Sequence, residues 1–169
     1  MSKKQIHLAV PETCHQALSL FAAPDIKLYF YRIKPVYQCT IERREKPVLY
    51  APSFLALWAL HYSVQNPHLF SSILCYGEQQ YSPLAFMWFK LRLKIERYLM
   101  GSDVSSPIIT RALRRHTANA DYSALPIGTW LQLAKNYQNH RENSPVTLFW
   151  LDKHKNSADL HQMILKLQN

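Results

Sequence analysis

The stretch from Ser82 to Gly101 carries its own start and stop signals, and what it forms decides the character of the middle of the chain. Ser82 followed by Pro83 places a capping hydroxyl and a first-turn proline at its head, and Gly101 closes it. Between them Leu84, Met87, Trp88, Leu91, Ile95, Tyr98 and Leu99 fall on one helical stripe. The same residues also alternate from Phe89 to Glu96, apolar against charged, as a half-exposed strand would. The cap, the length, and the spacing of Lys90, Lys94 and Arg97 on one helical face decide for a helix, with Met87, Trp88 and Leu91 expected in the core.

A chain of 169 residues, 48% apolar and with only three glycines, has ample packing material and little flexible punctuation. One domain, or one domain with an extension, is expected. From Pro11 to Ala22 an early proline, Glu12 and the apolar Leu18, Phe21 and Ala22 suggest a short helix. Ile26 to Ile33 and Val36 to Ile41 are rich in β-branched and aromatic residues and suggest strands. The mixed charges from Glu42 to Lys46 fit a hairpin turn before Pro47 to Tyr50.

Beyond Pro52, Ser53 is placed to cap a helix whose Leu55, Trp58, Ala59 and Tyr62 recur at helical spacing as far as Val64. His68 to Cys75 is a short apolar segment and Gly77 to Tyr81 a polar loop. Ser106 and Pro107 open another helix, with Ile108, Ile109, Ala112 and Leu113 inward and Arg111, Arg114 and Arg115 outward. After the turn at Pro126 to Gly128, either a helix or an extended piece follows. Asn139 to Pro145 suggests a loop, Val146 to Leu151 a buried strand, and Ser157 to Leu167 a terminal helix. The fold class expected from these elements is α+β: a strand-containing extension over residues 1–51, then a basic, mainly helical domain over 52–169 ending in a strand and a helix.

Charge is concentrated in the centre. Seven of the twenty Lys and Arg lie between Pro83 and Arg115, against only Glu96 and Asp103, so five of the nine net positive charges sit in a fifth of the chain. Lys90, Lys94, Arg97, Arg111, Arg114 and Arg115, threaded with aromatic residues, suit a surface facing phosphates. Tyr122 and Trp130, beside turn signals, suit either a stacking platform or the core.

Enzyme signatures are sparse. The eight histidines form no HExxH, and the eleven carboxylates are spread almost singly, leaving no paired acid and base and no acidic metal cluster. Gly77, Gly101 and Gly128 cannot supply a phosphate-cradling loop. Cys14, Cys39 and Cys75 have no zinc spacing and suit free thiols in a reducing cytoplasm, and no run of apolar residues is long enough to span a bilayer. A non-enzymatic protein without metal or cofactor is expected.

The order of several motifs resembles the FinO/ProQ family of RNA chaperones. Phe54 to Val64 looks like that family's first helix, Asn66-Pro67-His68-Leu69-Phe70 like its exit, Ser82-Pro83-Leu84 like the next helix opening, and Ala112-Leu113-Arg114-Arg115-His116-Thr117 like its "ALRxxT" phrase. The resemblance implies that Arg114 contacts RNA and that Tyr122 lies on the same concave face. The expected function is therefore an RNA-binding protein or chaperone that holds structured, hairpin-like RNA through Lys90, Lys94, Arg97, Arg111, Arg114, Arg115 and Tyr122. The alternative is an adaptor that docks an acidic protein partner within a larger assembly, and a metal-dependent nuclease or transferase ranks last.

Overall fold

The computed structural model describes residues 5–11, 24–31, 46–76, 82–115, 125–151, 162–164 and 166. Its centre is a five-stranded sheet: β1 (Ile6–Pro11), β2 (Ile26–Tyr31), β3 (Val48–Pro52), β4 (Ser72–Tyr76) and β5 (Thr147–Leu151). The strands run in the spatial order β2-β1-β3-β4-β5, and every pairing is parallel. Among the described residues, the helices α1 (Leu55–Gln65), α2 (Pro83–Met100), α3 (Pro107–Leu113) and α4 (Ile127–Glu142) accompany them.

This corrects the expected fold class. The protein is α/β with an all-parallel sheet, not an α+β fold with a mainly helical centre. Strands buried on both faces do not alternate; they appear as continuous apolar runs. All six residues of β1 and all five of β3 are buried, so neither carries the polar-apolar rhythm that marks a strand at a sheet's surface. β3 pairs with β1 on one side and β4 on the other, which puts strands from both sides of residue 52 in one sheet.

The period-two geometry of the strands divides the core in two. Ala9, Tyr31, Leu49, Ala51, Ile73 and Cys75 face the layer built by α1 to α4. Ile6, Leu8, Val10, Val48, Tyr50 and Leu74 face the other way, where Ile164 of the helical residues 162–164 covers them. α1 lies against the sheet with eight of its eleven residues buried, and α4 packs on α1 through Trp130, Leu133, Ala134 and Tyr137. α4 begins at Ile127 and extends through Glu142, so the stretch after the Pro126–Gly128 turn is helix, and so is the first part of the expected loop at Asn139 to Pro145.

α2 has the predicted ends: the Ala85 N–H donates to Ser82 Oγ at 3.3 Å, and Gly101 follows its last turn at a φ of 96°. Its inward face is not the predicted one. Phe86, Phe89 and Leu93 are buried, whereas Leu84, Met87, Trp88, Leu91, Ile95, Tyr98 and Leu99 are exposed. The segments from Glu12 to Ala22, Val36 to Ile41 and Gly77 to Tyr81, with Tyr122, lie outside the described residues, as does most of the terminal helix.

Candidate functional site

In a parallel sheet all the strands point their carboxyl ends to one edge, and ligands of open α/β sheets bind outside that edge, beside the point where the strand order reverses. Here the reversal lies between β1 and β3: β2 sits to one side of β1, and β3, β4 and β5 succeed one another on the other. β3 therefore borders the reversal. It ends at Pro52, α1 begins at Leu55, and only Ser53 and Phe54 make the turn between them.

Ser53 is not a helix cap. A capping serine has an extended backbone and accepts from the second or third N–H of its helix. Ser53 instead has a φ of 52°, and α1 has no side-chain cap hydrogen bond at its first turn. Among the described residues it is the one non-glycine with positive φ. That conformation brings Cβ against the backbone and costs about 1–2 kcal/mol. Carbonyl oxygens hold the turn: the Ala56 N–H donates to Ser53 O at 3.2 Å and the Leu57 N–H to Phe54 O at 3.0 Å. Ser53 is 7% exposed.

Phe54 projects from this turn toward α2, where its ring stacks on Phe89 at 4.4 Å between centroids and 11° between planes. It also lines a 540 Å³ cavity between α2 and α3, together with Trp88, Ile108, Arg92, Arg111 and Arg115. Glu96 fixes the two helices that wall the cavity. Its carboxylate accepts from Ser106 Oγ at 2.5 Å and from the Ile108 N–H at 3.1 Å, while Ser106 Oγ caps α3 by accepting from the Ile109 N–H at 3.3 Å.

The cations singled out from the sequence line more than one concavity of the surface. Arg111 and Arg115 border the cavity beside Arg92; Arg114 lies with Arg111 and Thr110 along a second, shallow groove of about 310 Å³. Lys94 and Arg97 line a separate groove with Tyr98 and Lys135. Lys90 lies over the Phe86 ring, 5.3 Å from its centroid. Trp130 is fully buried and belongs to the core.

The four described histidines lie on β1, on α1, before β4 and on α4. His7 is near the amino end of β1, its Nδ1 2.8 Å from Tyr29 Oη, and His68 precedes β4. His61 on α1 and His140 on α4 stack at 4.9 Å, with Nδ1 and Nε2 3.4 Å apart. Burial lowers both pKa values, and for His61 the neighbouring His140 lowers it further. Of the other four, His15 follows β1 in sequence, and His154 and His161 follow β5, two strands that end at the edge where Ser53 lies. Burial drives the Cys75 thiol far above its usual range, which leaves it a core residue and not a nucleophile. Among the described residues no set of three or more His, Cys, Asp and Glu could hold a metal ion, and no helix is long and apolar enough to cross a membrane.

No family model matches the chain, and no curated protein matches it. Among solved structures, the chain is similar to a carboxylesterase of the ammonia-oxidizing thaumarchaeon Nitrososphaera gargenis, with a TM-score of 0.42 and 10% identity over 97% of this chain and 78% of that one. The expected RNA-binding or adaptor function and the expected non-enzymatic character are corrected to the extent that none of these comparisons supports them. The cations that reading relied on line several separate concavities, and the one non-glycine residue with positive φ among those described is a serine at the carboxyl edge of the sheet.

Proposed function

We propose that the protein is a serine hydrolase of carboxylic esters, with Ser53 as its nucleophile. The observation that carries this reading is the positive φ of Ser53 in a two-residue turn between a parallel strand and a buried helix. In α/β-hydrolases the nucleophilic serine occupies a sharp, strained strand-to-helix turn of this kind, which holds its hydroxyl at the top of the sheet. Strain at a functional residue persists only where the surroundings enforce it. Here buried β3 on one side and α1 on the other do so. The flanking sequence, Ala51-Pro52-Ser53-Phe54-Leu55, lacks the glycines of the usual G-x-S-x-G phrase.

In the reaction Ser53 Oγ adds to the ester carbonyl as a histidine takes its proton. The negative oxygen of the tetrahedral adduct is stabilised by backbone donors, with the Phe54 N–H, next after the nucleophile, as one of them. Collapse breaks the acyl–oxygen bond, and the histidine returns its proton to the departing alcohol. Water, deprotonated by the same histidine, then releases the acid and restores the serine. We assign the base to His154 or His161, because they follow β5 and because hydrolases of this type carry their histidine after the serine in the chain.

A series of 4-nitrophenyl esters from acetate to decanoate tests the reading. The wild-type protein is expected to turn over at least one of them, with Ser53→Ala lowering kcat by about a thousandfold or more and one of His154→Ala and His161→Ala doing the same. Turnover that survives in Ser53→Ala would refute it.

A further inference from the structure

The cavity between α2 and α3 combines two kinds of surface that select different parts of one molecule. Phe54, Trp88, Phe89 and Ile108 offer it apolar and aromatic walls, whereas Arg92, Arg111 and Arg115 bring three guanidinium groups to the same space. Its 540 Å³ falls in the size range of small-molecule sites. The space is open to solvent on one side, and its apolar and aromatic walls beside three arginines offer both kinds of contact to one ligand.

Nearby carboxylates do not account for Arg92 and Arg111. Glu96, the acid in the middle of the basic run, is occupied by Ser106 Oγ and the Ile108 N–H. Among the described residues neither Arg92 nor Arg111 is paired with a carboxylate. Arg111 lies in α3, Arg115 two residues past its end, and Arg92 approaches from α2, which Glu96 ties to α3. Arginine's planar fork suits a carboxylate or phosphate, which it can grip through two parallel hydrogen bonds.

We infer that this cavity is the substrate-binding pocket of the Ser53 site and takes an ester whose acyl part is apolar and carries an anionic group, a carboxylate or a phosphate. The inference rests on the hydrolase reading for the identity of the ligand as a substrate, and on the cavity alone for its chemistry. Phe54 joins the two: its ring is part of the cavity wall, and its peptide bond connects it to Ser53. The apolar chain lies along Phe54, Trp88 and Phe89, with the anion at Arg92 and Arg111.

Titration calorimetry with decanoate, decyl phosphate and 1-decanol, on the wild type and on Ser53→Ala, separates this claim from the catalytic one. At least one of the two anions should bind about tenfold or more tightly than the alcohol to both proteins. The double variant Arg92→Gln/Arg111→Gln should lose that preference, and Trp88→Ala should weaken all three ligands. Both arginines are exposed, so unchanged urea unfolding verifies that the double variant is folded. Equal binding of the alcohol, or a preference that survives in the folded double variant, overturns the inference. Anion preference without Ser53-dependent ester hydrolysis would leave the pocket standing and remove the nucleophile; hydrolysis without anion preference would do the reverse.

Discussion

At the scale of single residues, Ser53 is held in a conformation its own side chain disfavours. Glycine populates positive φ freely, so Ser53→Gly should relieve the strain and raise the unfolding free energy by about 1 kcal/mol in urea titrations, while abolishing ester hydrolysis. A serine retained only for packing would not show this opposition of stability and activity. The sequence supplied the residue but not its role: a serine two positions before an apolar helical pattern fits a cap, and only the sign of φ distinguishes the two. A usable signal was nonetheless present, since a fully apolar strand reaching Pro52 and a helix starting at Leu55 leave too short a turn for a relaxed connection. The candidate cations were legible individually. Their grouping was not, because Arg92 reaches the cavity from α2, and Arg111 and Arg115 from α3 and the residues just past it.

At the scale of elements, α2 shows what periodicity can and cannot reveal. Its boundaries follow from Ser82, Pro83 and Gly101, yet two apolar stripes run along it, and spacing alone does not say which one faces the core. Contact with Phe54 and Tyr137 selects Phe86, Phe89 and Leu93. Leu93→Ala should therefore cost about 2–5 kcal/mol, and Leu99→Ala, at a position 73% exposed, less than about 0.5 kcal/mol, as measured by chemical denaturation.

The contact between α1 and α4 adds a pH dependence. His61 and His140 both have pKa values below the ordinary 6.5 because the fold buries them. The unfolded chain then binds protons more readily than the folded one, so their contribution to stability is intact above pH 6.5 and is lost as pH falls through the lowered folded values. Stability should decline over that window, and His61→Gln/His140→Gln should flatten the decline in urea titrations at successive pH values. An unchanged slope would show that the pair does not couple to folding.

At the scale of the molecule, a parallel sheet gathers the carboxyl ends of five strands at one edge, and the turn after β3 sets a serine there. The α4 side of the sheet and the α2–α3 cavity then position an apolar, arginine-bordered space next to that turn. β2 and β5 were readable from their β-branched and aromatic residues, whereas β1 and β4 were not, because short apolar runs of this length serve equally as strand or buried helix. Parallel pairing was beyond local reading for another reason: it depends on crossovers between strands far apart in the chain, and the charged stretch before β3 fits a hairpin when read alone.

The central claim is that Ser53 is an activated nucleophile, and covalent labelling with a fluorophosphonate followed by peptide mass spectrometry measures that directly. The account predicts one phosphonyl adduct on the peptide bearing Ser53, formed on the folded protein and absent after urea unfolding or in Ser53→Ala. A folded wild-type protein that takes up no adduct, or takes it up at another residue, would contradict it.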